Sequence, residues 1–99
     1  MLYTIHCLDR GNALRTRLDH YDAHRNYLDR AEIDIVLAGP IMGNDSDTPV
    51  GSFFIVAAGT RDEVANFNQN DPFYELNIWA RETIRIHPFL KRRGWVGSD

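Results

Sequence analysis

Residues 2 to 8, LYTIHCL, alternate, with Tyr3, Ile5 and Cys7 on one side, the pattern of a half-buried strand. The period then lengthens. From Asn12 to Ala31 there is no proline or glycine, and Leu14, Leu18, Tyr21 and Leu28 recur at helical spacing. One helix with a single apolar stripe on an otherwise charged surface is predicted. IDIVLAG, residues 33 to 39, is a short β-rich run predicted to stop at Gly39-Pro40, because proline cannot donate to a ladder. A polar loop, GNDSDTP, follows from Gly43 to Pro49. GSFFIVAA, residues 51 to 58, is apolar almost throughout and is predicted to be the most buried strand. Thr60-Arg61-Asp62-Glu63 fits a capping box ahead of Val64, Ala65 and Phe67, so a second helix starts there and stops by Asn70. Asp71-Pro72-Phe73 makes a turn, and Ile84 and Ile86 alternating with Thr83, Arg85 and His87 predict a final strand over roughly residues 79 to 87.

The resulting order, βαββαβ, is the α+β arrangement that folds into a four-stranded antiparallel sheet with both helices on one face. The other face then needs a cover. Phe53, Phe54, Ile55 and Val56 make both sides of the central strand apolar, and an open sheet face would be a sizeable exposed patch. Two such sheets packed face to face remove it, so a homodimer, or a higher homo-oligomer, with a barrel-like core is expected. A ligand pocket would lie between sheet and helices or at the mouth of that barrel.

Composition narrows the function classes. A chain of 99 residues, 43% hydrophobic and 25% charged, is one globular domain. A net charge of −3 argues against nucleic-acid binding, since the only basic run is Lys91-Arg92-Arg93 near the C-terminus and a solvated tail accounts for it. With Cys7 alone there is no intrachain disulfide, and its place in an alternating strand favours a small buried thiol over a nucleophile. MLYTIHCLDR has neither a basic leader nor a long apolar stretch, and no segment approaches a membrane span, so a cytoplasmic protein is expected.

Candidate chemistry centres on HYDAH, which sets His20 and His24 four apart. At about 100° per residue, Arg17 and His24 fall roughly 20° apart beside the apolar stripe, while His20 turns further toward solvent. A metal site would need a third ligand, and Tyr21 stands where the glutamate of an HExxH motif would be, so no metal is expected. The loop Asn44-Asp45-Ser46-Asp47 lacks the glycine and distal glutamate of an EF-hand and reads as a polar turn. Acid–base chemistry asks for less: one imidazole and one carboxylate to hold its tautomer. His24 supplies the first, and Asp71, fixed before Pro72, is the candidate for the second, although a turn-former bonding its own backbone is the plainer account of an Asp-Pro pair. Ser52 follows a glycine at a strand start without a GxSxG elbow, which suits a hydrogen-bonding hydroxyl rather than a nucleophile. Tyr3, Phe53, Phe54, Phe67, Phe73 and Trp79 are expected in the core, His6 and His87 partly exposed, and Trp95 against the body of the domain.

Taken in order, MLYTIHCLDR, Arg17 with His24 in R-x6-H-x2-YL, LAGP at 37 to 40, GS at 51 to 52, DPF at 71 to 73 and a closing I-HPF-K resemble the YCII-related family over residues 1 to 91, leaving 92 to 99 as a C-terminal tail. The resemblance implies a ferredoxin-like fold in the dimeric α+β barrel superfamily. It implies a His–Asp pair that maps onto His24 and Asp71, and a pocket lined or shaped by Arg17, Gly39, Pro40, Gly51 and Ser52. In this family one type removes chloride from a chlorinated hydroxyquinol with no metal or organic cofactor. The loop GNDSDTPVGS, shorter than the family's usual connection, and the tail GWVGSD are departures that bear on the pocket mouth.

The function expected is therefore that of a small cofactor-independent enzyme, lyase or isomerase in type and possible kin of the dehydrochlorinase, acting on a small aromatic or anionic molecule. His24 would be its acid or base, Asp71 would orient it, and Arg17 would pair with a substrate oxygen. The alternative is a non-catalytic small-molecule-binding or accessory protein using the same dimer pocket.

Overall fold

The structure, a computed structural model, describes residues 1–94. The role expected of Trp95 and the end of the tail lie outside the described residues. Strands β1 (Leu2–Leu8), β2 (Asp34–Met42), β3 (Pro49–Ala57) and β4 (Arg85–Phe89) form one four-stranded sheet in the order β2-β3-β1-β4. Every pairing is antiparallel. Helices α1 (Leu14–Asp19), α2 (Tyr21–Arg30), α3 (Arg61–Gln69) and α4 (Pro72–Glu75) fill the connections, and the whole is the α+β, ferredoxin-like fold expected from the element order.

Alternation decides what faces the helices. Tyr3, Ile5 and Cys7 of β1 and Phe54 and Val56 of β3 point to the core with Val64, Phe67, Phe73, Ile78 and Trp79. β3 is central and the most heavily buried strand. Gly51 sits where β1 comes closest, since a Cβ there would lie 2.2 Å from the Cys7 carbonyl oxygen. Only glycine lets the strands pair at that point and hands the next position, Ser52, to the buried side. Phe53 differs from expectation: it lies on the opposite sheet face, only half-buried, with its ring against His6.

Three boundaries depart from the sequence pattern. β2 does not stop at Gly39-Pro40 but runs on to Met42, with Pro40 opposite Ser52. It is an edge strand, where proline's missing donor leaves no ladder bond unmade. Pro88 in β4, the other edge, obeys the same rule. The turn at residues 71 to 73 continues into the short helix α4, begun by Pro72 behind an Asp71 cap. The last strand starts at Arg85 rather than near 79, because Trp79 forms an isolated bridge to Asp9 and residues Arg81–Thr83 make a 3₁₀ turn tied to Leu8 through the Thr83 hydroxyl.

The long first helix is two. It breaks at His20, whose backbone leaves the helical region at φ −113° and ψ 15°, and whose amide and ring Nδ1 both lie within hydrogen-bond distance of the Thr16 carbonyl. No proline or glycine marks the break. The stripe expected to be buried is largely exposed: Leu14 is 41%, Leu18 58% and Tyr21 48% accessible, and only Leu28 packs against the core. The inward side is instead Ala13, Arg17 and His24. Those two polar residues go in because buried carboxylates meet them, which removes the cost that keeps such groups in water.

Candidate active site

His24 enters on the first turns of α2 and is buried at 8% exposure. Its Nδ1 lies 2.8 Å from both carboxylate oxygens of Asp71. Oδ1 takes the hydrogen bond, while Oδ2 is buried with no hydrogen-bond partner of its own among the described residues. Because a carboxylate only accepts, Nδ1 is the donor, and Nε2 is left as the nitrogen that can take or give a proton.

Asp71 is the turn-former expected of an Asp-Pro pair, and the same carboxylate also meets His24. It is the N-cap of α4, and its Oδ1 accepts from the Phe73 amide at 2.8 Å, an Asx-type bond that aims the carboxylate back at α2. Phe73 then stacks on the imidazole at 4.1 Å with planes 4° apart, and Phe54 and Trp79 present their edges at 6.3 and 6.2 Å. These contacts fix the ring plane, so the orientation of Nε2 is set by packing as well as by the carboxylate.

Arg17 lies at 4.7 Å over the same Phe73 ring. Its Nε and Nη2 donate to the two oxygens of Asp9 at 2.7 and 3.0 Å, and Nη2 also donates to Ser52 Oγ at 2.8 Å. Ser52 Oγ accepts a second bond from Trp79 Nε1 at 3.2 Å. Arg17 is therefore neutralised by Asp9 and braces Ser52, a different task from direct pairing with an anionic substrate. Asp9, Phe73 and Trp79 were not singled out as site residues from the sequence, and a lone acid at the end of β1 carries no pattern that would have found Asp9.

A cavity of about 160 Å³ brings Arg17, His24, Gly39, Pro40 and Ser52 together, with Tyr21, Arg25, Leu28, Ala38 and Phe54 completing the wall. Asp71 stands behind His24 and outside the lining. An apolar shelf of about 240 Å³ adjoins it, sharing Arg17, Tyr21 and Pro40 and adding Leu18, Met42 and Pro49. A larger and more open groove of about 570 Å³, lined by Tyr27, Arg30, Glu32, Glu63 and Asn70 among others, lies apart from the dyad. Its one phenol is spent, since the Tyr27 hydroxyl donates to the Phe67 carbonyl at 2.7 Å, and burial with the charges of Asp71 and Glu75 pushes that phenol up to about 12.

Cys7 is no nucleophile at neutral pH. Burial, with the nearby charges of Asp71 and Asp9, pushes its thiol up to about 12 against a weaker opposing bond from Asn68. The two histidines of HYDAH do not converge, His24 facing Asp71 and His20 the Thr16 carbonyl. Among the described residues no cluster of three metal-ligating side chains occurs, and no helix is long and apolar enough to cross a membrane.

An antiparallel ferredoxin-like sheet thus carries a His–Asp pair at the wall of a small cavity. The chain belongs to the YCII-related family, whose domain profile matches residues 1–89. It is similar in structure to 5-chloro-2-hydroxyhydroquinone dehydrochlorinase from Burkholderia phenoliruptrix AC1100, solved in complex with 2,5-dihydroxybenzoquinone. The two share 34% identity, with a TM-score of 0.79, over 91% of this chain and 94% of that one. No curated protein sequence matches the chain.

Proposed function

We propose that this protein is a small enzyme that moves a proton on a hydroxylated six-membered ring through His24, with Asp71 holding the imidazole, and that elimination of halide is the reaction it suits best. The observation that carries this is the buried His24–Asp71 pair, its Nε2 uncommitted, in the wall of a cavity of about 160 Å³. A cavity near 150 Å³ takes one benzene-sized ring. The similarity to a dehydrochlorinase supports the choice of reaction.

In that reaction the substrate enters as a keto tautomer whose chlorine-bearing carbon is tetrahedral. Nε2 of neutral His24 takes the proton of a ring hydroxyl, the freed O–H electron pair forms a carbonyl, the ring π electrons shift, and chloride leaves with the C–Cl pair. The products are a quinoid ring, chloride and an imidazolium, whose proton passes to water. Asp71 opposes the positive charge that develops on His24. Nothing in this balance calls for an oxidant.

The test is chloride release from 5-chloro-2-hydroxyhydroquinone. His24→Gln should lower kcat about 10²- to 10⁴-fold, the usual worth of a general base. A wild-type protein that binds 2,5-dihydroxybenzoquinone yet releases no chloride would be the non-catalytic binder instead.

The same reading includes a homodimer built on the sheet face opposite the helices. Leu8, Leu37 and Phe89 remain 37 to 39% exposed in the isolated chain, and Phe53 is half-covered on that face. A second copy presenting the same face would cover them without an extra element. Sedimentation should give twice the chain mass, and Phe53→Arg should return the protein to a monomer.

A further inference from the structure

Two guanidiniums line the cavity, and they are not equivalent. Arg17 is buried, bonded to both oxygens of Asp9 and to Ser52, so its charge is already balanced where it lies. His24 hydrogen-bonds Asp71 and is charged only when protonated, so it adds no standing cation to the wall. Among the described residues no carboxylate lines the cavity. Arg25, the next residue along α2, is exposed, takes part in no ion pair among the described residues, and lies 5.9 Å from the Tyr21 ring one helical turn before it. Its α2 neighbours Asp22 and Asp29 are exposed and make no ion pair with it. The uncompensated positive charge of the cavity wall is therefore at its rim, on a side chain braced by an aromatic face.

We infer that Arg25 is a specificity-determining residue, selecting rings that carry an anionic oxygen and holding that oxygen at the cavity mouth while the ring's inner edge meets His24 and Ser52. The inference rests on the ring-binding reading above and adds to it the charge and direction of the ligand. A cavity of about 160 Å³ has room for the ring but little more, so a charged substituent must lie at the opening, where Arg25 is. Ser52 fixes the other end. Its oxygen already accepts from Arg17 and Trp79, so its own proton is free to be donated to a ligand oxygen. A neutral ring uses the inner contacts alone, whereas an anionic one uses both ends.

The test pairs two probes of similar size. 2,5-Dihydroxybenzoquinone, a vinylogous carboxylic acid, is anionic at neutral pH, and hydroquinone is neutral. Calorimetric titration of wild type, Arg25→Gln and Arg25→Lys at low and high salt reads the charge directly. Arg25→Gln should weaken the anion roughly fivefold and abolish the salt dependence of its binding, leave hydroquinone within about twofold, and Arg25→Lys should restore most of the loss. Equal behaviour of both probes in Arg25→Gln would overturn the assignment while leaving the ring pocket standing. Failure of the wild type to bind either probe would overturn both.

Discussion

Arg17 and Asp9 form an ion pair whose side chains are 5% and 7% exposed, so each is safe in the interior only while the other is present. Arg17→Met should cost about 3 to 5 kcal/mol, because Asp9 is left charged and unpaired, while the double variant Arg17→Met, Asp9→Asn should recover much of that loss. Chemical denaturation of the four proteins of the cycle checks it. Cys7 gives a second signature at this scale. The unfolded chain releases its thiol proton near the ordinary value of 9.0, whereas the folded chain holds it to about 12. Between those limits the unfolded state binds fewer protons, so stability is whole below pH 9 and falls as pH rises, by an amount on the order of 4 kcal/mol at the upper end. Tyr27 pulls the same way above pH 10. Cys7→Ala should flatten the curve between pH 9 and 10, and the native thiol should resist alkylation at pH 8.

At the scale of elements, the short helix α4 carries Asp71 into the site, and its cap and its function are separable by substitution. Asp71→Asn can still accept from the Phe73 amide, so stability should change by less than about 1 kcal/mol while turnover drops steeply with the loss of the carboxylate charge. Asp71→Ala removes both and should cost a further ~1 kcal/mol of stability. Thermal melts beside kcat separate the two. The elements most legible in the sequence were those specified by local pattern: the alternation of β1, the apolar run of β3, and the Thr60 cap, which accepts from Glu63 N as its spacing requires. The elements misjudged were settled by tertiary position. Pro40 lies within β2 because that strand is at an edge, and the α1–α2 break at His20 has no helix-breaking residue to announce it. The burial of Arg17 and His24 in place of Leu14 and Leu18 depends on Asp9 and Asp71, which are far enough away that helical periodicity cannot register them.

For the whole molecule, the four-stranded order followed from the succession of elements, and the convergence of His24, Arg17, Gly39, Pro40 and Ser52 on one cavity was anticipated by the family's motifs rather than by spacing. What periodicity could not supply is the division of labour inside the site: Ser52 braced from two sides, Arg17 neutralised by Asp9, and the open charge left to Arg25. These are facts of hydrogen-bond saturation, visible only when donors and acceptors are counted in three dimensions.

The oxygen Oδ1 of Asp71 joins the start of α4 to the imidazole, since one atom serves both bonds. Local opening of the segment after Gln69 would thus separate His24 from its carboxylate without unfolding the sheet. The Phe73 amide becomes a reporter of that event: its hydrogen exchange measures the free energy that keeps the His24–Asp71 pair assembled, separately from the energy that keeps the protein folded. Ligands that tighten the cavity should slow exchange at Phe73 more than at the amides of β1, and the difference would measure how far binding and assembly of the dyad are the same step.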